Sequence, residues 1–196
     1  IDCGLLYKKK RFSPLYSQAF TVKMPGTNDK TRDVLLVKGI VDGKNDLTLM
    51  VNHWPSRRGG EEQSAAARAA AAQTVRTIVD SIMSMDPFAN IIIMGDMNDD
   101  PDDASIASVL QASQDSADAM SSNLYNCSYK LFADGNGTLK YKGGWNLFDQ
   151  MIVSVPMIHS KGLLKYVPCS AGIYNPAWMR QTEEGEYKDA PKRTYI

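Results

Sequence analysis

The chain has little histidine, little cysteine and no surplus of charge. Its 196 residues hold two histidines, His53 and His159, and three cysteines, Cys3, Cys127 and Cys169. Cysteines this few, odd in number and widely spaced make no disulfide framework and no CxxC metal motif, and leave room for one bridge at most. Two histidines give poor support for a His/Cys zinc cluster. Lys plus Arg balances Asp plus Glu at 22 each, so the chain lacks the global basic field that drives nucleic-acid coating, and any such role needs a local patch. No apolar run approaches the length of a membrane span. No signal peptide, internal repeat or linker is visible. The first residue is Ile, in mid-pattern, and the 196 residues are expected to be one domain excerpted or processed from a longer chain.

What is present is an ordinary globular mixture, 43% apolar and 22% charged, with enough chain to bury a core. Short strands are expected at residues 4–7, 15–23, 33–41 and in "LTLMVNH", the last three forming an antiparallel meander joined by the turn-rich "PGTNDKTR" and "DGKND". Lys8 to Arg11 form a basic run whose simplest reading is a solvated strand end. Residues 61–85 predict a helix, because Val75, Ile78, Val79, Ile82 and Met83 fall on one stripe and Glu61 and Glu62 sit in its first turn. "IIIM" at 91–94 suits a strand buried on both faces. A hairpin and a further strand near Phe148 to Val153 follow. The last thirty residues show no periodicity. The class is mixed α and β, with antiparallel sheet covered by helices.

Three stretches carry chemistry. Gly95-Asp96-Met97-Asn98 follows the buried strand, which would hold a carboxylate rigidly at an exposed end. Asp96 can bind a hard cation or align a water, and Asn98 can offer an N–H to developing phosphoryl charge without titrating. The run Asp96-x-Asn98-x-Asp100 imitates an EF-hand, but Pro101 and Ala107 stand where that loop requires Gly and Glu. Asp100, Asp102 and Asp103 read as helix-capping residues around Pro101, which leaves Asp99 unassigned. In "NHWPSRRGG", His53 stands at a strand end beside Asn52, with Arg57 as a planar phosphate donor. Arg58 has an equally good reading as an ion-pair partner of Glu61 or Glu62. Asp149, in "FDQMIVS", is an acid inside an apolar strand, which a role beside a catalytic imidazole or a metal-bound water would justify.

Taken together, "VNHWPSR", "IIIMGDMND" and "GGWNLFDQMIVS" resemble the endonuclease/exonuclease/phosphatase superfamily, whose fold is that of pancreatic deoxyribonuclease. The resemblance implies a four-layer α/β sandwich, two mostly antiparallel sheets flanked by helices, here expected to be incomplete. It implies Mg²⁺- or Mn²⁺-dependent hydrolysis of phosphate esters, in small molecules or nucleic acid, by an activated water. By similarity, His53 would bind or protonate the scissile phosphate and Asp96 would orient the water or take its proton. Asn98 would donate to a phosphoryl oxygen and help Asp96 position the metal, and Asp149 would support the site. Asn52 and Arg57 are expected to contact substrate. The family's earlier Asn motif, its metal-binding Glu and its closing Ser-Asp-His motif are not found here. Glu61 is the first glutamate, and His159 reads as a surface residue rather than the closing histidine. The chain by itself is therefore expected to turn over little, and a non-catalytic relative that binds a ligand or partner is the alternative.

Overall fold

A computed structural model of the chain describes residues 3–26, 30–160 and 164–192. The meander forms as its alternation requires: β1 (Phe12–Phe20), β2 (Val34–Val41) and β3 (Asn45–His53) pair antiparallel in sequence order. The expected turn between β1 and β2 lies partly outside the described residues. The early stretch 4–7 is not a strand. After it Arg11 pairs with Asp42 at 2.5 Å, so part of the basic run anchors the β2–β3 turn.

The 25-residue helix α1 spans Glu61–Met85, the boundaries that the apolar stripe predicts. Its buried side includes Ala71, Ala72, Val75, Ile78, Val79 and Met83; small residues near its start allow close approach to the sheet. As a crossover it returns the chain to β4 (Ile91–Asp96), which lies parallel to β3. A short π-helical turn (Ser105–Val109), α2 (Ala119–Ser122), β5 (Leu124–Asn126), α3 (Tyr129–Ala133), the hairpin β6 (Leu139–Tyr141) and β7 (Gly144–Asn146), β8 (Asp149–Ser154) and α4 (Val155–His159) follow. Among the described residues the main sheet has six strands in the order β1-β2-β3-β4-β8-β5, and β6-β7 is a separate two-stranded ribbon. The fold is thus mixed α/β with a mostly antiparallel main sheet. Its second sheet, among the described residues, is only that ribbon.

Each strand sends alternate residues to opposite faces. Met50, Ile91, Ile93 and Ile152 pack against α1 with Trp54 and Met97. Val37, Leu49 and Val153 form the core of the other face, with Ile92 and Met94 packed against it. No disulfide joins Cys3, Cys127 and Cys169. No described helix is long and apolar enough to cross a membrane.

Candidate active site

Strand register assembles the site. His53 ends β3 opposite Asp96 at the end of β4, and Asp96 lies opposite Asp149 at the start of β8. Directly opposed residues share a face, so the three side chains form one row across the sheet on the face away from α1. His53 Nε2 stands 3.8 Å from Asp96 Oδ2, close enough for electrostatic coupling but too long for a hydrogen bond. The other Asp96 oxygen, Oδ1, accepts the backbone N–H of Asn98 at 2.9 Å, which fixes the carboxyl plane.

Gly95 makes this close packing possible. Its φ is +131°, and a Cβ there would lie 2.0 Å from the carbonyl oxygen of Asn52 on β3. Any other residue would push β3 and β4 apart where His53 and Asp96 meet.

Burial and neighbouring charges shift both groups. The imidazole of His53 is held below its ordinary value, first by burial and next by the Arg32 guanidinium, with Asp96 pulling the other way. The Asp96 carboxyl is held above its ordinary value, first by burial; the Asn98 N–H opposes that shift and the Asp149 charge adds to it. Both effects favour uncharged forms.

Three expected site residues have other duties. Asn52 is 3% exposed on the helix-facing side of β3, where its amide nitrogen donates to the Met50 carbonyl at 3.1 Å and its oxygen accepts the Trp54 indole N–H at 3.1 Å. Alternation along β3 points it away from the row, and its amide is engaged within the protein. Arg57 is likewise withdrawn. Its guanidinium donates to the Asn98 carbonyl at 2.9 Å and to Asp103 at 2.6 Å, pairs with Glu61 at 2.8 Å, and lies over the Phe148 ring at 4.7 Å. With its donors so engaged, Arg57 ties the "GDMNDD" turn to the start of α1 rather than gripping substrate. Asn98, in left-handed conformation with φ +51°, donates its amide nitrogen to the Trp54 carbonyl at 2.9 Å. One amide hydrogen remains for another acceptor. Arg58 is exposed and pairs with neither Glu61 nor Glu62.

The capping reading fits Asp103, whose carboxylate accepts a backbone N–H at the start of the turn, whereas Asp100 is engaged elsewhere. Asp100 accepts the Leu147 N–H at 2.6 Å, joining the turn to the segment before β8. Asp103 accepts the Asp100 N–H at 2.6 Å as well as Arg57. Asp99, 4% exposed, pairs with Arg68 of α1 at 2.6 Å and accepts the Ser105 hydroxyl at 2.6 Å. These acids build the scaffold behind the row.

Arg32, just before β2, is the cation that the sequence reading missed. It is close enough to act electrostatically on both His53 and Asp96, and it makes no hydrogen bond or ion pair with a described residue. Nothing in its local motif marks it. The signal is register: Leu35 pairs with Val51, so the chain entering β2 passes the end of β3 where His53 stands. His159 is exposed at the end of α4 and is not part of the row.

The donor set bears on metal binding. Asp96 and Asp149 offer carboxylates from adjacent strands, which suits Mg²⁺ or Mn²⁺ held by one or two acids with water and substrate completing the shell. An all-protein cage does not fit, because among the described residues no three His, Cys, Asp or Glu side chains could hold one ion together. Asn98, turned onto Trp54, is a weaker candidate ligand than Asp149.

Comparison with solved structures shows the fold in other proteins. Truncated Caenorhabditis elegans TDP2 superposes with a TM-score of 0.53 at 17% identity, over 74% of this chain and 54% of that one. The human Nocturnin catalytic domain with bound sulfate gives 0.52 at 18% identity, over 74% and 49%. A Bacteroides thetaiotaomicron mannosyl-6-phosphatase gives 0.50 at 15% identity, over 76% and 55%. The chain thus spans about half the length of these structures. Comparison with curated proteins gives no match. A family model described as the endonuclease/exonuclease/phosphatase family matches residues 1–196, and the chain belongs to that family.

Proposed function

We propose that the chain carries the phosphate-handling centre of a divalent-metal-assisted phosphoester hydrolase, in which a water attacks phosphorus in line with the leaving oxygen. The reading rests on the row His53, Asp96, Asp149, with a guanidinium, Arg32, acting on its first two members. Arg32 attracts the phosphate. His53, kept neutral by burial at ordinary pH, hydrogen-bonds a phosphoryl oxygen. Asp96, with its raised basicity, orients the attacking water and takes its proton. The remaining amide hydrogen of Asn98 serves a second phosphoryl oxygen. A cation held by Asp96 and Asp149 would supply Lewis-acid charge opposite those oxygens. The family membership and the phosphatase among the structural neighbours agree with this chemistry.

The test is turnover of bis(4-nitrophenyl) phosphate with Mg²⁺ or Mn²⁺ and with a chelator. His53→Ala and Asp96→Ala should each lower kcat/KM by about 10²–10⁴-fold. Chelator-resistant turnover, or full activity in both variants, would overturn the proposal. A second reading, a relative that binds its ligand without hydrolysing it, is favoured by the sparse donor set. In that case phosphate would bind and no ester would turn over.

A further inference from the structure

Beyond Asp149, away from His53, the row opens into a cleft of about 570 Å³ on the β8 side. That volume is within the range of small-molecule sites. Asp149 is part of its wall, so the cleft is continuous with the row. Along β8 the next residue on that face is Met151, 45% exposed. Tyr166, Tyr174 and Met179 also line the cleft, and Tyr174 is 80% exposed. Apolar and aromatic side chains gathered in a concave, wet position beside a polar row mark a surface that gains from being covered.

Apart from Asp149 the polar side chains of the cleft, Ser128, Thr138, Gln150, Ser170 and Asn175 with the two tyrosines, carry no charge. The Thr138 hydroxyl accepts the backbone N–H groups of Phe148 at 3.2 Å and Asp149 at 3.1 Å, so its own hydrogen is left to donate. No Lys, Arg or His lines the cleft among the described residues, and its single charged wall residue is Asp149. Beyond the ion that Asp149 would share with Asp96 at the scissile phosphate, no cationic side chain among the described residues lines the cleft to receive a second phosphate. Charges farther off are screened over roughly 8 Å at physiological salt. Proteins that hold polyanions do the opposite, lining the path with Lys and Arg.

We propose that this cleft seats the organic group of the phosphate ester, and that this group is uncharged and aromatic or otherwise apolar. Nucleic-acid backbones and polyphosphorylated sugars are then poor occupants. The inference rests on the hydrolase reading for the position of the phosphate, and it adds the class of substrate.

Methyl-labelled methionine spectra of the protein test it, with phenyl phosphate, inorganic phosphate and a short single-stranded oligonucleotide as probes. Phenyl phosphate should shift the Met151 and Met179 methyl signals saturably, and inorganic phosphate should leave them in place. Met151→Gln, polar but uncharged at a half-exposed position, should weaken phenyl phosphate about tenfold, a change of about 1.4 kcal/mol, with inorganic phosphate affinity unchanged. Equal methyl shifts from both phosphates, an unaffected Met151→Gln variant, or tighter oligonucleotide binding in the cleft would each overturn the proposal. Adding Mg²⁺ or Mn²⁺ separates it from the parent reading. A seated ring without phenol release refutes the hydrolase and leaves the cleft standing; phenol release with unmoved methyls refutes the cleft alone.

Discussion

Gln150 donates its side-chain amide to the backbone carbonyl of Asp99 at 2.7 Å, and this bond joins β8 to the turn after β4 from behind the sheet. The same amide nitrogen donates to the Leu147 carbonyl at 3.1 Å, and its oxygen accepts the Asn126 amide at 2.8 Å. Gln150 is 3% exposed and adjacent in sequence to Asp149. The spacing between Asp149 and Asp96 therefore depends on a buried polar side chain that touches neither.

Gln150→Glu tests this dependence. One carboxylate oxygen there would keep the Asn126 amide as donor and the other would face the Asp99 and Leu147 carbonyl oxygens, so burial and repulsion should hold its pKa above the unfolded value. The native state then binds the extra proton, and stability falls as pH rises through that raised pKa. Unfolding free energies from urea titration should match wild type near pH 4 and be lower by about 2–4 kcal/mol near pH 7, the cost of a poorly compensated buried charge. An equal loss at both pH values would point to packing instead.

Arg68 and Asp99 form a second buried link, from α1 to the same turn. At 1% and 4% exposure, neither charge can be solvated if its partner is removed. Arg68→Met should cost about 2–4 kcal/mol, because it leaves the buried Asp99 carboxylate only the Arg57 guanidinium at 3.2 Å and the Ser105 hydroxyl. Adding Asp99→Asn should recover much of that loss, giving a coupling energy of about 1–3 kcal/mol in a double-mutant cycle. Simple additivity would show that the pair does not act as a unit.

The sequence reveals the scaffold more readily than the site. Helix α1, the meander and β4 were legible because apolar periodicity states directly which face is buried, and His53, Asp96 and Asp149 stand at the ends of those elements. Asn52 is next to His53 in sequence, but alternation along β3 turns it to the opposite face. Arg57 and Asp100 could not be resolved, because their partners Asp103 and Leu147 lie 46 and 47 positions away. Such pairings depend on how the turn after β4 folds back, and local composition carries no trace of that.

Arg32 and Arg57 can be separated by their effect on inorganic phosphate. Arg57 has its donors engaged within the protein, whereas Arg32 has a guanidinium without a described hydrogen-bond partner beside the row. Arg32→Ala should weaken phosphate binding about tenfold with little change in stability. Arg57→Ala should lower the urea midpoint, and at temperatures where it remains folded it should bind phosphate nearly normally. Calorimetric titration and denaturation on the two variants decide this, and the reverse pattern would restore Arg57 as the substrate contact.

Asp100 adds a pH dependence of opposite sign to the usual one for carboxylates. Burial pushes its carboxyl up to about 6, against the lowering pull of the Leu147 N–H and the Arg57 guanidinium. An unfolded aspartate titrates near ~3.9, so between those values the native state holds more protons. The stabilising term is complete below the unfolded value and is lost as pH rises through about 6. Asp96 and Asp99, also raised by burial, act in the same direction. Urea midpoints measured in chelator from pH 4 to 7.5 should therefore decline for wild type and decline less for Asp100→Asn, whose side-chain oxygen can still accept the Leu147 N–H. A variant slope as steep as wild type would mean that Asp100 is ionised throughout, with Arg57 outweighing its burial.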